Sequence, residues 1–517
     1  MLQVNHLTVT QNRDRKTLIA DLSISLQKRD KLAVIGAEGN GKTALLRIIC
    51  RPDIASRYLS WEGFVDYAPY QLGYLEQECP SPLLDKSPAE LTQPFIEDSD
   101  LYRAADTLSL RSDLLFTTRP LRTLSGGERM KLRFLLIRLA RPDIFVLDEP
   151  ANDLDLEGIG VVESFIRDCP EPVLYVSHDE TLLERTATKI LHIEQIWRRT
   201  EPRATFSGLG FRDYMEQFSR RIDRQNQLAA KEEKDYRDKR RRHLEIQEKV
   251  HRAQENISRK DPAGARLLKK KMHSVKSTGR RLEREHDEMT KKTDREDDIG
   301  FFLADMPGIP HNKQVLDIYM PHLSTGDRVL ARNIILLVRG PERVAITGEN
   351  GCGKSTLLRF IHSTLRERND LTVFYLPQDW KELPDTGGSA LDYLAAGCGS
   401  SVRQEASDLL GSLNFSREEM IRPFETLSGG QKVKLVFARL RLIKPHILLL
   451  DEPSRHLSPL SNPAFRESIA EYPGCVISIS HDRSFLRAVC TRVLRLTKDG
   501  LREEDRRLYR EMNSDQR

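Results

Sequence analysis

An α/β fold of two tandem P-loop nucleotide-binding domains, joined by a long α-helical hairpin, is what this sequence predicts, on three observations. A glycine-rich phosphate loop follows a short apolar run twice, at residues 36–43 and 348–355. The motifs after each loop recur in the same order, three of them at a constant offset of 303 positions. Between the halves, residues 212–295 read as two long helices broken at Asp261-Pro262, because Asp caps a helix start and Pro is tolerated only in the first turn. The expected boundaries are 1–205, 206–298 for the linker and 299–517, and a chain of 517 residues is indeed too long for one core.

Composition narrows the class. Hydrophobic residues make up 39% and charged residues 31%, the profile of a globular protein with one unusually charged part. No apolar run reaches the roughly 18 residues of a membrane span, and the start MLQVNHLTVTQ lacks the basic-then-apolar order of a secretory signal. The seven cysteines (50, 79, 169, 352, 398, 475, 490) show neither CxxC nor metal-ligand spacing, so reduced thiols in a cytoplasm are expected.

In the first half, KLAVI at 31–35 has the continuous apolarity of a buried parallel strand, and the loop then leads into the helix-forming ALLRII. Strand, GxxxxGK[ST] and helix in that order are what phosphate binding requires. The candidate nucleotide contacts are Gly36, Gly39, Asn40, Gly41, Lys42, Thr43 and Ala44. Glycines let amides curl around phosphates, Lys42 reaches the terminal phosphates, and the Thr43 hydroxyl is a candidate Mg²⁺ ligand. The run RPDIFVLDEP ends a second apolar strand on two carboxylates. Asp148 is placed to hold Mg²⁺, and Glu149 to orient or deprotonate a water. The pentapeptide Leu124-Ser125-Gly126-Gly127-Glu128 opens a helix whose free amides suit a γ-phosphate.

The second half repeats this with Gly348, Asn350, Gly351, Gly353, Lys354, Ser355 and Thr356, then Gln378, Ser428-Gly429-Gly430, Asp451-Glu452 and Ser480-His481-Asp482. One interval differs. Lysine to glutamine spans 35 positions in the first half (Lys42 to Gln77) and 24 in the second, so RPDIASRYLSWEGFVDY is expected to hold extra loop.

The pentapeptides LSGGE and LSGGQ resemble the signature of ATP-binding-cassette (ABC) ATPases, and their order relative to Gln77, Asp148-Glu149 and Ser177-His178-Asp179 is that of such a domain. The resemblance implies ATP and Mg²⁺ as cofactors, with Thr43, Gln77, Asp148, Ser355, Gln378 and Asp451 around the metal. It implies that His178 and His481 contact the γ-phosphate and that Glu149 and Glu452 serve catalysis. It also implies head-to-tail pairing within one chain, each loop facing the signature of the opposite cassette: Gly36–Thr43 with Ser428, and Gly348–Ser355 with Ser125.

The hairpin refines the resemblance. Its residues 212–295 carry 26 Lys and Arg against 16 Asp and Glu, a balance of +10 in a chain of +5. Around the break, Arg259, Lys260, Arg266, Lys269, Lys270, Lys271, Lys276, Arg280 and Arg281 face a single acid, Asp261. A solubility face normally mixes signs, so the cluster reads as a probe for phosphates. Leu268, Met272, Val275, Gly279, Leu282, His286 and Met289 recur at four- and three-residue steps, a coiled-coil seam expected to meet Ile246, Val250, Ala253 and Ile257 of the first helix.

Tandem cassettes without a membrane span, joined by a basic hairpin, look like ABC-F proteins, and the resemblance covers essentially the whole chain. It implies a cytoplasmic ATPase, monomeric with intramolecular cassette pairing, whose ATP-bound form occupies the ribosomal E site. The linker would then contact P-site tRNA and 23S rRNA near the peptidyl transferase centre, with Arg259, Lys260, Arg266 and Lys269–Lys271 as contact candidates. The tip NISRKDPAGARLLKKKM, with no arm in the first cassette, looks more like members that protect ribosomes from large-subunit antibiotics than like housekeeping translation factors. Its uncharged residues fit either an approach to a drug pocket or a tight bend. A transporter ATPase subunit predicts an ordinary linker, and a DNA-repair ATPase predicts far longer or zinc-interrupted coils. The chain departs from the family in two ways: Arg13 and Thr325 stand where an aromatic often stacks on adenine, and Ser458 stands where the first half has Asp155. The second departure leaves the two sites free to hydrolyse at different rates.

Overall fold

Continuous apolar runs build the centre of each half. In the computed structural model, Lys31–Ile35, Ile144–Asp148 and Val173–Val176 are buried along their whole length, as expected of parallel strands covered on both faces. The structure describes residues 1–196, 201–255, 262–287, 289, 303–326, 328–383, 387–396, 402–413, 415–427, 429–455 and 457–505. The first six-stranded sheet has the order Leu72–Leu75, Ile144–Asp148, Val173–Val176, Lys31–Ile35, Lys189–Gln195, Glu201–Ser207, parallel except for the last pair. The second repeats it with Val373–Leu376, Ile447–Asp451, Cys475–Ile479, Arg343–Thr347, Arg492–Thr497 and Gly500–Glu504. In both, the strand that feeds the phosphate loop lies inside the sheet, so loop, carboxylates and histidine emerge together at the carboxyl ends of neighbouring strands.

Each half adds an antiparallel sheet, and here the halves differ. The first has three strands, Thr17–Leu26, Leu2–Gln11 and Leu59–Asp66; the second has two, Gln314–Thr325 and Arg328–Arg339. The expected extra loop is therefore a short helix, Pro52–Ala55, followed by a strand. Leu59 is buried in the core, and Trp61 and Val65 pack against it. Apolar residues at alternate positions make a half-buried strand, whereas the longer lysine-to-glutamine interval shows only that residues are added and not what they form. Gly63 sits at φ 101 opposite a register shift, where a Cβ would lie 2.5 Å from the His6 carbonyl oxygen.

Residues 1–211 and 296–517 form one unit and 212–295 a second. The second contains the helices Phe211–Glu255 and Pro262–Asp287. On the later helix the seam holds at its centre: Val275 and Leu282 are buried, and Leu268, Met272, Gly279 and Met289 are half-buried. On the earlier helix it holds in part: Val250 turns inward, but Ile246 is 52% exposed and Ala253 is exposed, and the inward row is Ile222, Ala229, Tyr236, His243 and Val250, seven residues apart. Rings decide that register. His243 Nε2 lies 2.8 Å from the Val275 carbonyl oxygen, and its Cε1 would be 3.1 Å from a Cβ at Gly279, so only glycine leaves room for it. The Tyr236 ring lies tilted against that of His286, with centroids 4.5 Å apart, and His286 is otherwise exposed. The seam residue Ile257 and the break at Asp261 lie outside the described residues. Among the described residues, no helix is long and apolar enough to cross a membrane.

Candidate nucleotide sites

Both phosphate loops end on a glycine in left-handed backbone, Gly41 at φ 99 and Gly353 at φ 104, which turns the chain directly into a helix at Lys42 or Lys354. The free amides of that first turn suit an anion. Lys42 Nζ donates to the carbonyls of Gly36 and Ala37 at 2.8 and 3.0 Å, and Lys354 Nζ to those of Gly348 and Glu349 at 2.8 and 2.9 Å. The buried Asn40 side chain donates to the Ile193 carbonyl at 3.1 Å, which braces the loop on a neighbouring strand.

The paired carboxylates repeat closely. Glu149 and Glu452 both adopt left-handed backbone, φ 51 and 49, unusual for a non-glycine residue and found where function holds a residue in place. Each accepts the backbone N–H of the histidine that follows the next strand, His178 or His481, at 3.3 Å. Burial pushes Glu149 up to about 7. Burial, then Asp451 beside it, pushes Glu452 up to about 8. His178 Nε2 stands 3.1 Å from Glu149 Oε1, but without the alignment of a hydrogen bond.

The implied Mg²⁺ fits these residues. The Thr43 hydroxyl donates to Asp148 Oδ1 at 3.4 Å, while Asp148 Oδ2 is buried without a partner. Burial, with Glu149 adding to it, raises Asp148 to about 6. In the other half Asp451 Oδ1 is likewise buried and unpartnered, and burial again raises its carboxyl while the Ser355 hydroxyl opposes the rise. Two adjacent buried carboxyls short of positive charge suit a cation. Among the described residues no group of three or more His, Cys, Asp or Glu gathers around a metal. Hydroxyl, amide and phosphate oxygens must then complete the shell, and Gln77 and Gln378 line the two cavities.

The second site is built from both halves. A cavity of about 730 Å³ is lined by Gly351, Gly353, Lys354, Ser355, Thr356, Gln378, Asp451, Glu452 and His481 and, from the opposite cassette, by Ser125, Gly126 and Gly127. Ser125 caps the helix Gly126–Leu139 reciprocally with Glu128, which leaves the helix start facing the cavity. Asn350 donates to the Asp153 carbonyl across the boundary. The first site, about 510 Å³, takes Gly39, Gly41, Lys42, Thr43, Ala44, Gln77, Glu149 and His178, with Arg455 from the other half. The carbonyls of Gly36 and Gly348 lie beneath the loops and accept from the lysines. Of the second signature, the helix Gly429–Ile443 begins at Gly429 and Gly430 as expected, while Ser428 lies outside the described residues.

A protein-family model described as ABC transporter matches residues 19–152 and 331–455, covering the loops, signatures and carboxylates of both halves. The chain belongs to the ABC transporter family. Its ABC cassettes hydrolyse ATP with Mg²⁺. It is 27% identical to the putative ATP-binding protein YdiF of Bacillus subtilis, over 97% of this chain and 81% of that protein. It is also 27% identical to GCN20 of Saccharomyces cerevisiae and to human ATP-binding cassette sub-family F member 3, over 93% and 92% of this chain and 68% of each relative. Solved structures with the same ABC fold include RNase-L Inhibitor (TM-score 0.58, 16% identity, 98% of this chain and 92% of that one). An archaeal ribosome recycling factor, aABCE1, matches with TM-score 0.60, 16% identity and the same coverage, 98% and 92%.

Several cavity residues escaped the sequence reading. Arg455 lines both sites and pairs with Asp153 of the other cassette at 2.9 Å. The Leu457 carbonyl lies 2.8 Å from His178 Nδ1. Thr325 lines the second cavity with Arg328 and Leu330 as expected, but exposed Arg13 is absent from the lining of the first, where Tyr58 stands instead. Ser458 does the work of Asp155: each caps a turn, Asp155 accepting the Gly158 amide at 2.9 Å and Ser458 the Ser461 amide at 3.2 Å. Arg455 and Leu457 carry no recognisable motif, so only their position across the boundary reveals them.

Proposed function

We propose that this chain is an ATP-driven, ribosome-binding member of sub-family F that sits in the E site and carries its linker tip toward the peptidyl transferase centre, displacing large-subunit antibiotics. The domain limits are 1–205, 206–298 and 299–517, and the protein works in the cytoplasm. The observation that carries the reading is the basic hairpin between two ATP-hydrolysing cassettes. Arg266, Lys269, Lys270 and Lys271 are exposed on it and make no ion pair with any described residue. Cations spaced along one rod suit RNA phosphates and RNA shape. Arg259 and Lys260, the other two contact candidates, lie outside the described residues. Support also comes from the neighbours of like fold, one titled a ribosome recycling factor and another ribosome-bound ABCE1 with Pelota (TM-score 0.57).

In this reading Lys42 and Lys354 leave the loop carbonyls to reach the terminal phosphates, and the signature helix of one cassette completes the site of the other. Glu149 and Glu452 hold the attacking water, with His178 and His481 aligned by their amides on the same carboxylates. Mg²⁺, when bound, neutralises phosphate charge beside Asp148 and Asp451. Closing both sites joins the cassettes, and hydrolysis removes the contacts that keep them joined.

The test is expression in a susceptible host, with inhibitory concentrations measured across large-subunit antibiotics against a Glu149→Gln/Glu452→Gln control. Protection against one class, lost in the control, is expected. Ribosome co-sedimentation without any protection would leave a translation factor, and no co-sedimentation in either nucleotide state would end the reading.

A further inference from the structure

Across the boundary between the cassettes, two ion pairs are buried together. The Arg466 guanidinium donates to both oxygens of Glu180 at 2.8 Å, and Arg483 donates to Glu163 at 2.9 Å. All four side chains are nearly closed to solvent, with exposures of 11%, 12%, 9% and 6%. The repeat that aligns the carboxylates and histidines, 303 positions, also aligns these residues: Glu163 with Arg466, and Glu180 with Arg483. The contact is therefore one interaction used twice about a pseudo-twofold axis, position 163 of one half meeting position 180 of the other. At both positions the first cassette carries Glu and the second carries Arg. A third position follows suit, with Glu184 aligned to Arg487.

We propose that this charge reversal decides which cassettes close on each other. A first cassette meeting a first cassette would bury Glu163 against Glu180. A second meeting a second would bury Arg466 against Arg483. Glu163 also pairs with Arg185 of its own cassette at 2.9 Å, but either like-with-like juxtaposition sets like charges face to face out of water and removes the opposite charge each meets across the boundary, which favours the unlike pairing. The surface thus accepts the second cassette of this protein and rejects the matching half of another copy. Exposed charges would discriminate weakly because water screens them; these sit where it does not.

The experiment needs no ribosome, so its failure is separable from failure of the ribosome reading. Three full-length variants are compared for ATP hydrolysis and for mass in solution with ATP: Glu163→Arg/Glu180→Arg, Arg466→Glu/Arg483→Glu, and all four substitutions together. Each two-residue variant is expected to lose more than about tenfold in hydrolysis, and the fourfold variant to return to within about threefold of the parent. Mixing the two defective variants, one now all Arg and the other all Glu, is expected to restore hydrolysis in a species of twice the mass. Two-residue variants as active as the parent, or a fourfold variant as impaired as either of them, would overturn the proposal. If the two-residue variants precipitate, the fourfold variant decides alone: active supports the proposal, inactive overturns it.

Discussion

At the scale of single residues, two side chains carry predictions. Tyr58 stands at the edge of the first cavity with its hydroxyl accepting from Arg47 at 3.0 Å, next to the strand end where Arg13 had been expected to serve the base. A ring there offers the base a stacking face. Tyr58→Ala is expected to weaken ATP binding at the first site about tenfold and to leave inorganic tripolyphosphate binding unchanged, while Tyr58→Phe keeps both. Titration of the full chain carrying Lys354→Ala, which silences the second site, checks this. His481 is the other. Burial, then Lys354 nearby, holds its imidazole down to about 4, with Asp155 opposing and the Glu452 carboxylate 3.7 Å away. The folded state thus prefers neutral His481. Its contribution to stability is complete above the unfolded value near 6.5 and is lost as pH falls toward 4, about 2 kcal/mol by pH 5. Melting at pH 7 and pH 5 should show His481→Gln losing less than the parent, and equal losses would refute the neutral histidine.

At the scale of elements, the hairpin shows why periodicity located a seam but placed only part of its partner row. Ile246, Val250 and Ala253 have the right spacing, and Val250 does turn inward, but spacing says nothing of which of several apolar rows a neighbouring helix meets. The ring of His243 over Gly279 and the ring of Tyr236 over His286 occupy the inward row, and Ile246 and Leu244 remain about half exposed, at 52% and 50%. The basic row lies outside that contact, so its removal should spare the fold. Neutralising Lys269, Lys270 and Lys271 to Gln is expected to leave thermal stability within about 0.5 kcal/mol and to lower the slope of log affinity for ribosomes against log salt by about 2. Sedimentation at several salt concentrations measures it. An unchanged slope would move the RNA contact to another face.

At the scale of the whole molecule, the two halves are similar in sheet order but unequal in use. His178 is engaged by the Leu457 carbonyl of the opposite cassette, whereas among the described residues neither ring nitrogen of His481 has a hydrogen-bond partner. Among the described residues only the first half has a third antiparallel strand, and Tyr58 directly precedes it at the edge of the cavity. Hydrolysis is therefore expected to be unequal between sites. Glu149→Gln and Glu452→Gln should each retain ATP affinity within about threefold but lower turnover to different extents, and the double variant should lose at least about 100-fold. Single-turnover measurements on the three variants test this, and equal effects from the two single variants would show that the sites are equivalent.

What the sequence alone determined is whatever depends on short-range order along the chain. The phosphate loops, the carboxylate pairs and the signature helix starts follow from motif and apolar run, because each is set by residues within a few positions of one another. Tertiary structure decided whatever depends on two distant stretches meeting. It braced the Asn40 side chain on the Ile193 carbonyl, put Tyr58 rather than Arg13 at the first cavity, brought Arg455 into both cavities and matched Glu163 with Arg483 across 320 positions. The physical reason is that burial and partner determine what a polar side chain does, and both are properties of the packed molecule.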